Sequence, residues 1–77
     1  RSGDVQEVEV TDERLAGRTV GDINDDLPVG CMIALVTRDG ENTVPAPDLE
    51  IECNDHLTVL GRTEAVHEAL ERLPPHD

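Results

Sequence analysis

The densest group of side chains that could bind a cation lies between residues 48 and 56. It contains four acids, one cysteine and one histidine: Asp48, Glu50, Glu52, Cys53, Asp55 and His56. Hard divalent cations take several carboxylate oxygens, so a cation site is one interpretation. The other is a solvated acidic face, favoured because Glu50 and Glu52 alternate with apolar residues as on the wet side of a strand. Cys53 and His56 lack a second ligand pair at zinc spacing, so no metal is expected.

No set of residues has the types and spacing that catalysis requires. Asp25 and Asp26 are neighbouring carboxylates, but adjacent side chains point apart and nothing nearby would shift a pKa for acid–base work. The histidines are scattered at His56, His67 and His76, so no Ser-His-Asp or Cys-His set forms. The glycines are isolated rather than gathered in a phosphate-binding loop. We therefore expect that the protein is not an enzyme.

Length and charge exclude further classes. The chain has 77 residues, a net charge of −12 and no aromatic residue. Phosphate backbones would be repelled and bases would find no stacking platform, so no nucleic-acid binding is expected. No apolar run reaches the ~18 residues of a membrane span, which argues against direct membrane insertion. We expect one domain, 1–77, cut from a longer protein because the chain lacks an initiator Met.

Hydrophobic patterning predicts six elements in the order β-α-β-β-β-α. Alternation over 5–11 predicts a strand with one wet face. The almost wholly apolar block 31–37 is typical of a strand covered on both faces. An Asp-Gly turn signal follows it, so 42–44 is the return strand, and 56–60 is the last strand. The fold class is α+β, with a small, mostly antiparallel sheet and two helices.

Capping residues and apolar spacing define the two helices. Thr19 is placed to cap the first helix, and Pro74 and Pro75 end the second. The first helix has an apolar face of Val20, Ile23 and Leu27. The second has an apolar stripe of Val66, Ala69, Leu70 and Leu73.

Two short helices can cover only one face of the sheet. The second face of the central strand would then expose an apolar patch, so we expect a homodimer that buries it. The residues expected in the dimer interface or the core are Ile33, Leu35, Val36 and Val44. The alternative is that the connection 45–55, or a longer parent chain, covers this face.

Five motifs follow one another along the chain: LAGRTVGDI at 15–23, PVGCMIALV at 28–36, RDGE at 38–41, PAPDL at 45–49 and NDHLTVLG at 54–61. Their order and spacing, within a match over about 5–73, resemble the TrkA-C domain. This is the C-terminal regulatory half of the "regulator of potassium conductance" (RCK) module. Asn54 stands where that family usually has glycine, and Asn is the best substitute for the backbone geometry required there.

The resemblance implies a cytoplasmic, non-catalytic, dimeric domain that senses a small ligand and regulates a potassium or other cation transport system. The implied partners are a second copy and a parent chain or membrane transporter subunit. No cofactor is implied, and the effector is not identified by the residues. The alternative is a structural dimerisation module without a ligand, in an acidic halophilic protein.

Some members of this family bind a cyclic dinucleotide in a groove at the dimer interface. The resemblance places Asp26, Met32 and Pro45 in that groove. Pro45 fits its apolar wall, but Asp26 stands near the family's basic contact and would repel a phosphate. Met32 replaces a polar side chain. We expect this groove to hold another ligand or none.

The charge and the cysteines predict the environment of the protein. An acidic surface without lysine suits a cytosol kept at high salt, where self-repulsion is screened, so we expect a haloarchaeal source. An ordinary acidic domain is the alternative. Cys31 and Cys53 are expected to be reduced thiols rather than a disulfide.

Overall fold

One four-stranded antiparallel sheet and two helices are the regular elements of the described residues. The computed structural model describes residues 3–73. Its elements are β1 (Gly3–Glu9), α1 (Val20–Asp26), β2 (Cys31–Arg38), β3 (Glu41–Thr43), β4 (His56–Arg62) and α2 (Thr63–Arg72). The strand order is β1-β4-β2-β3, with antiparallel neighbours throughout. The α+β class and the element order are confirmed. Within residues 3–73, no helix has the length and apolar character needed to cross a membrane.

A single apolar cluster fills the space between the helices and one face of the sheet. Leu57 and Val59 of β4 and Ile33 and Val36 of β2 are fully buried in it. A bulge between Ile33 and Leu35 shifts the pairing of β2 with β4. Because a bulge adds one residue, Ile33 and Val36 face the same side although they are three apart. The helices add the predicted Val20, Ile23, Leu27, Val66, Ala69 and Leu73, with Leu70 half-buried beside them.

Three predicted local signals have the expected geometry. The Thr19 hydroxyl accepts a hydrogen bond from the Asp22 backbone N–H at 3.1 Å and so caps α1. Asp39 and Gly40 both have positive φ, at 52° and 79°, as a two-residue hairpin turn requires. Asn54 has φ 77°, the left-handed conformation that Asn adopts more readily than most residues.

Several strand ends lie one or two residues from their predicted positions, and two of them move a predicted residue out of its strand. β1 ends at Glu9 because Val10 leaves the ladder: its N–H donates to the Asp55 carbonyl and its carbonyl accepts from the Asn54 N–H, both at 2.8 Å. The placement of Val44 in the return strand is wrong, since β3 ends at Thr43. Val44 is 80% exposed and so is not in the core. The predicted helix stop at residues 74–75 lies outside the described residues.

A buried carboxylate ties the strand ends together. Asp55 is 1% exposed and accepts hydrogen bonds from Arg38 Nε at 2.8 Å and Arg38 Nη2 at 2.7 Å. It also accepts from the Glu52 backbone N–H at 2.8 Å, while Arg38 donates to the Glu50 carbonyl at 2.9 Å. The expectation of a solvated face is therefore wrong for Asp55. An unpaired charge could not be buried at this position.

Burial and hydrogen bonding act in opposite directions on Asp55. Burial raises the pKa of its carboxyl, but the hydrogen bonds from Arg38 and the Glu52 N–H, with the charge of Arg38, outweigh burial and lower the pKa. The ionised form is therefore the one that the fold stabilises.

Replacing Asp55 with alanine is expected to lower the free energy of unfolding by about 3 kcal/mol, because Arg38 and a backbone N–H lose their acceptor. Urea denaturation followed by circular dichroism measures this. Glu68→Ala is the control: it removes the acid of the exposed Arg72 pair and should cost less than about 1 kcal/mol. An equal loss of unfolding free energy in the two variants would contradict the structural role given to the buried Asp55–Arg38 pair.

The stability difference between Asp55→Ala and the parent chain is also expected to depend on pH. Since the folded pKa of Asp55 is lowered, its contribution is complete above about pH 4, the range of an unfolded Asp. It is lost as the pH falls through the folded pKa. The two unfolding free energies should converge in acid, and a difference that grows there would contradict this.

Candidate functional site

The sheet face opposite the helices is open in the described chain. Residues paired across an antiparallel ladder point to the same face, so the register arranges this face in rows. One row crosses three strands: Val5 pairs with Leu60, and Leu60 pairs with Met32. These side chains are 61%, 39% and 50% exposed. We call this row, together with the neighbouring half-buried Leu35, the apolar patch.

Apart from Leu35, the other paired side chains of the open face are polar. Glu7 pairs with Thr58, and Glu9 pairs with His56, on the side of the face away from Val5. His56 Nδ1 lies 3.7 Å from Glu7 Oε1. The face therefore grades from apolar to acidic along the strands. The paired side chains of this face form a surface for binding and include no nucleophile beside a base, which covalent catalysis would need.

Two shallow cavities flank Leu60 on the open face. One, of about 480 Å³, lies on the β1 side and is lined in part by Val5; the other, of about 270 Å³, lies on the β2 side beside Met32. Both include Gly61, which has φ 154°. A Cβ there would collide with the Gly30 carbonyl and the Cys31 backbone, so only glycine lets the segments come so close.

The three predicted groove residues lie on different elements. Asp26 is the exposed last residue of α1, Met32 belongs to the apolar patch, and Pro45 is half-buried after β3. The cavity beside Met32 includes neither Asp26 nor Pro45. One chain therefore does not gather the three residues around that cavity. Of the residues expected in the interface or core, Ile33 and Val36 are in the core and Leu35 belongs to the apolar patch.

Asp26 is not a bare negative charge. Arg18 Nη2 lies 2.6 Å from Asp26 Oδ2, and Arg18 Nε lies 2.6 Å from Asp22 Oδ2. Hydrogen bonds to Asp22 and Asp26 raise the pKa of Arg18, and the bond from Arg18 lowers the pKa of Asp22. Sequence reasoning missed this clamp, although the four-residue spacing of the three side chains is the usual spacing of helical ion pairs.

β2 has an outer edge that no strand of the described chain fully covers. β3 pairs only with Val36–Arg38, so the residues before Val36 lack a strand on that side. The Ile33 N–H instead donates to Asn24 Oδ1 of α1 at 2.9 Å. Asn24 thus takes the place of a strand at the start of β2. Nothing in its sequence neighbourhood indicated this role.

The other candidate sites do not assemble. Within residues 3–73, no three histidine, cysteine or carboxylate side chains come together closely enough to hold a metal ion. Glu50, Glu52 and Cys53 are exposed on the surface. Cys31 is half-buried, and neither it nor Cys53 forms a disulfide.

Comparison with known proteins identifies relatives of this fold. The family model of the TrkA-C domain matches residues 5–73. An uncharacterized transporter of Bacteroides thetaiotaomicron is 27% identical over 66 residues, which cover 86% of this chain and 12% of the transporter. The chain thus spans a small part of that curated relative. The expected haloarchaeal source is not borne out by these matches.

Two solved structures show the same fold. The RCK C domain of the potassium transport protein KtrA in complex with cyclic diadenosine monophosphate (c-di-AMP) superposes with a TM-score of 0.74 at 23% identity, covering 91% of this chain and 82% of that one. The RCK C domain dimer of S. agalactiae BusR in complex with c-di-AMP has a TM-score of 0.69 at 25% identity. That match covers 90% of this chain and 92% of the BusR chain.

The clamp predicts the effect of Arg18→Gln. The pKa of Asp22 should return toward 3.8, because its guanidinium partner is lost. The free energy of unfolding should change little, since the pair is exposed and screened by solvent. Carboxyl NMR titration measures the pKa, with Asp55 as an internal control that should not move. An unchanged Asp22 titration would contradict the clamp.

Proposed function

Because the chain belongs to the TrkA-C domain family, we propose that it is a cytoplasmic regulatory domain that dimerises and senses a small ligand for a potassium or other cation transport system. The observation that carries this proposal is the exposed apolar patch of a fold otherwise packed around one core. The domain supplies no catalysis of its own and acts through its contacts with a partner chain.

The apolar patch supports association with a second copy. Complete burial of an exposed Val, Leu or Met side chain is worth about 1.5–3 kcal/mol, and 39–61% of these three side chains is still exposed in one chain. A two-fold dimer places the same patch of both copies together, so a self-complementary apolar row suits it. The BusR neighbour is a dimer of the same domain. Face-to-face contact through Val5, Leu60 and Met32 is the arrangement that we propose.

The effector groove requires the partner chain in this proposal. Asp26, Met32 and Pro45 lie on three different elements of one chain, and a second copy would supply the opposite wall of the groove. An effector regulates only if it binds one dimer arrangement better than another. The ligand would act by that difference, and the change in the dimer would pass to the transport system.

c-di-AMP is bound by the KtrA and BusR neighbours, but the residues at this groove favour a different effector. Arg18, the arginine beside Asp26, is already held by Asp22 and Asp26 and so is not free to bind a phosphate. Met32 offers a base no hydrogen bond beyond a weak sulfur acceptor. These two features also support the second candidate, a structural dimerisation module without a ligand.

Val5→Asp is expected to weaken the dimer at least about tenfold, because it would place a charge in the apolar patch. Sedimentation equilibrium at high salt measures the dissociation constant. Val29→Asp is the matched control, since Val29 is 97% exposed and lies in the α1–β2 loop outside the open face. A monomeric parent chain, or equal effects of the two substitutions, would contradict this interface.

Thermal unfolding with ligands tests the groove. About 0.1 mM c-di-AMP should raise the Tm of the parent chain by less than about 1 °C, since a ligand stabilises only when present well above its Kd. Asp26→Arg with Met32→Asn should produce a shift of several degrees. Asp25→Arg with Val29→Asn is the control pair and should not. A large shift for the parent chain would contradict the assignment of the groove.

The same measurement separates the two candidate functions. A panel of nucleotides and other small anions and cations is added to the parent chain at saturating concentration. A ligand that raises the Tm and changes the dimer dissociation constant supports the sensing domain. A dimer that responds to none of them favours the structural module.

A further inference from the structure

We propose that ionic strength itself regulates association through the apolar patch: monovalent cations screen the acids beside the patch, so two copies join at high salt and separate at low salt. This inference rests on the proposed dimer and adds that salt concentration regulates its formation. It requires no bound ion and no effector.

The acids lie within electrostatic reach of the patch. Glu7 and Glu9 are exposed on the open face and follow Val5 along β1 at alternate positions. At 3.4 Å per residue, Glu7 is about 7 Å along the strand from Val5. The Debye length is about 8 Å at 0.15 M salt and about 3 Å at 1 M. Charges at this distance therefore act across the patch at low salt and are screened at high salt.

A two-fold contact through the open face brings the acids of both chains to one interface. In such an interface the open face of each chain meets the open face of the other, so the Glu7 and Glu9 pairs of both copies lie at the contact or its margin. Each copy also carries a net charge of −12. Repulsion between the copies then opposes the apolar contact until salt weakens it.

The ion-paired arginines of the described residues do not neutralise the acids of the open face. Arg18, Arg38 and Arg72 are each ion-paired with acids of their own chain away from this face. His56, on the open face, lies 3.7 Å from Glu7 and is a cation only when protonated. Arg62, at the end of β4, lines a separate cavity with Glu64 and Glu68. Asp4, at the end of the patch, accepts hydrogen bonds from the Val5 N–H and Gln6. Its contact with His67 is 3.2 Å.

Regulation of this kind would suit a domain attached to a cation transport system. The quantity that controls the dimer is the concentration of cation in the surrounding solution. Cation accumulation would favour the dimer and cation depletion the monomer. The chain would thus respond to the transported ion without a site for it.

The test measures the dimer dissociation constant of the 77-residue chain by sedimentation equilibrium from about 0.1 M to about 2 M KCl, and in parallel in NaCl, at about pH 8. We expect Kd to fall at least about tenfold across this range, equally in the two salts. Circular dichroism at each salt concentration confirms that the chain is folded. A Kd that is constant or rises, or an effect of K⁺ alone, overturns the proposal.

Charge variants locate the effect. Glu7→Gln with Glu9→Gln should dimerise more tightly at low salt and lose most of the salt dependence. Glu13→Gln with Asp48→Asn is the control, because it removes the same charge from exposed loop positions. Equal changes in the two variants overturn the role of the patch acids. Absence of a dimer at every salt concentration instead refutes the dimer on which the inference rests.

Discussion

The ion pair between Asp55 and Arg38 holds together the end of the sheet on which the rest of the fold depends. The Asp55 carboxylate accepts hydrogen bonds from Arg38 of β2 and from the Glu52 N–H, so it joins β2 to the 50–52 segment. The Asp55 carbonyl also accepts from the Val10 N–H, just after β1 ends. A chain without aromatic residues has few large side chains with which to fix these strand ends. A buried, hydrogen-bonded ion pair holds the strand ends in one position, because its hydrogen bonds require a particular geometry. If either partner moved, a buried charge would lose its hydrogen bonds.

With the strands fixed in this way, the helices take one face and the other stays open. The bulge in β2 places Ile33 and Val36 in the core and leaves Met32 and Leu35 on the opposite side. The exposed apolar row and the acids beside it have opposite effects on association with a second copy. Apolar contact favours a second copy, whereas charge opposes it, so the balance is set by the solution as well as by the chain.

Local signals explain which parts of the fold and of the site were predictable. The cap at Thr19, the turn at Gly40 and the left-handed Asn54 depend on a few neighbouring residues, and each was identified correctly. Val44 was misplaced because the chain turns there: β3 ends at Thr43, and the Val44 carbonyl accepts a hydrogen bond from the Ala46 N–H. Of the groove residues only Met32 falls on the open apolar face, and the Arg18 clamp was missed despite its helical spacing.

The sequence by itself determined the fold class, the element order, the helix faces and the family, because periodicity, caps and turn residues act over short distances along the chain. Only the tertiary structure decided that Asp55 is buried and that Val5, Leu60 and Met32 form one row. Those facts depend on register between strands distant in sequence. A one-residue slip would exchange the two faces of the sheet, so the apolar patch exists only once the ladder is set.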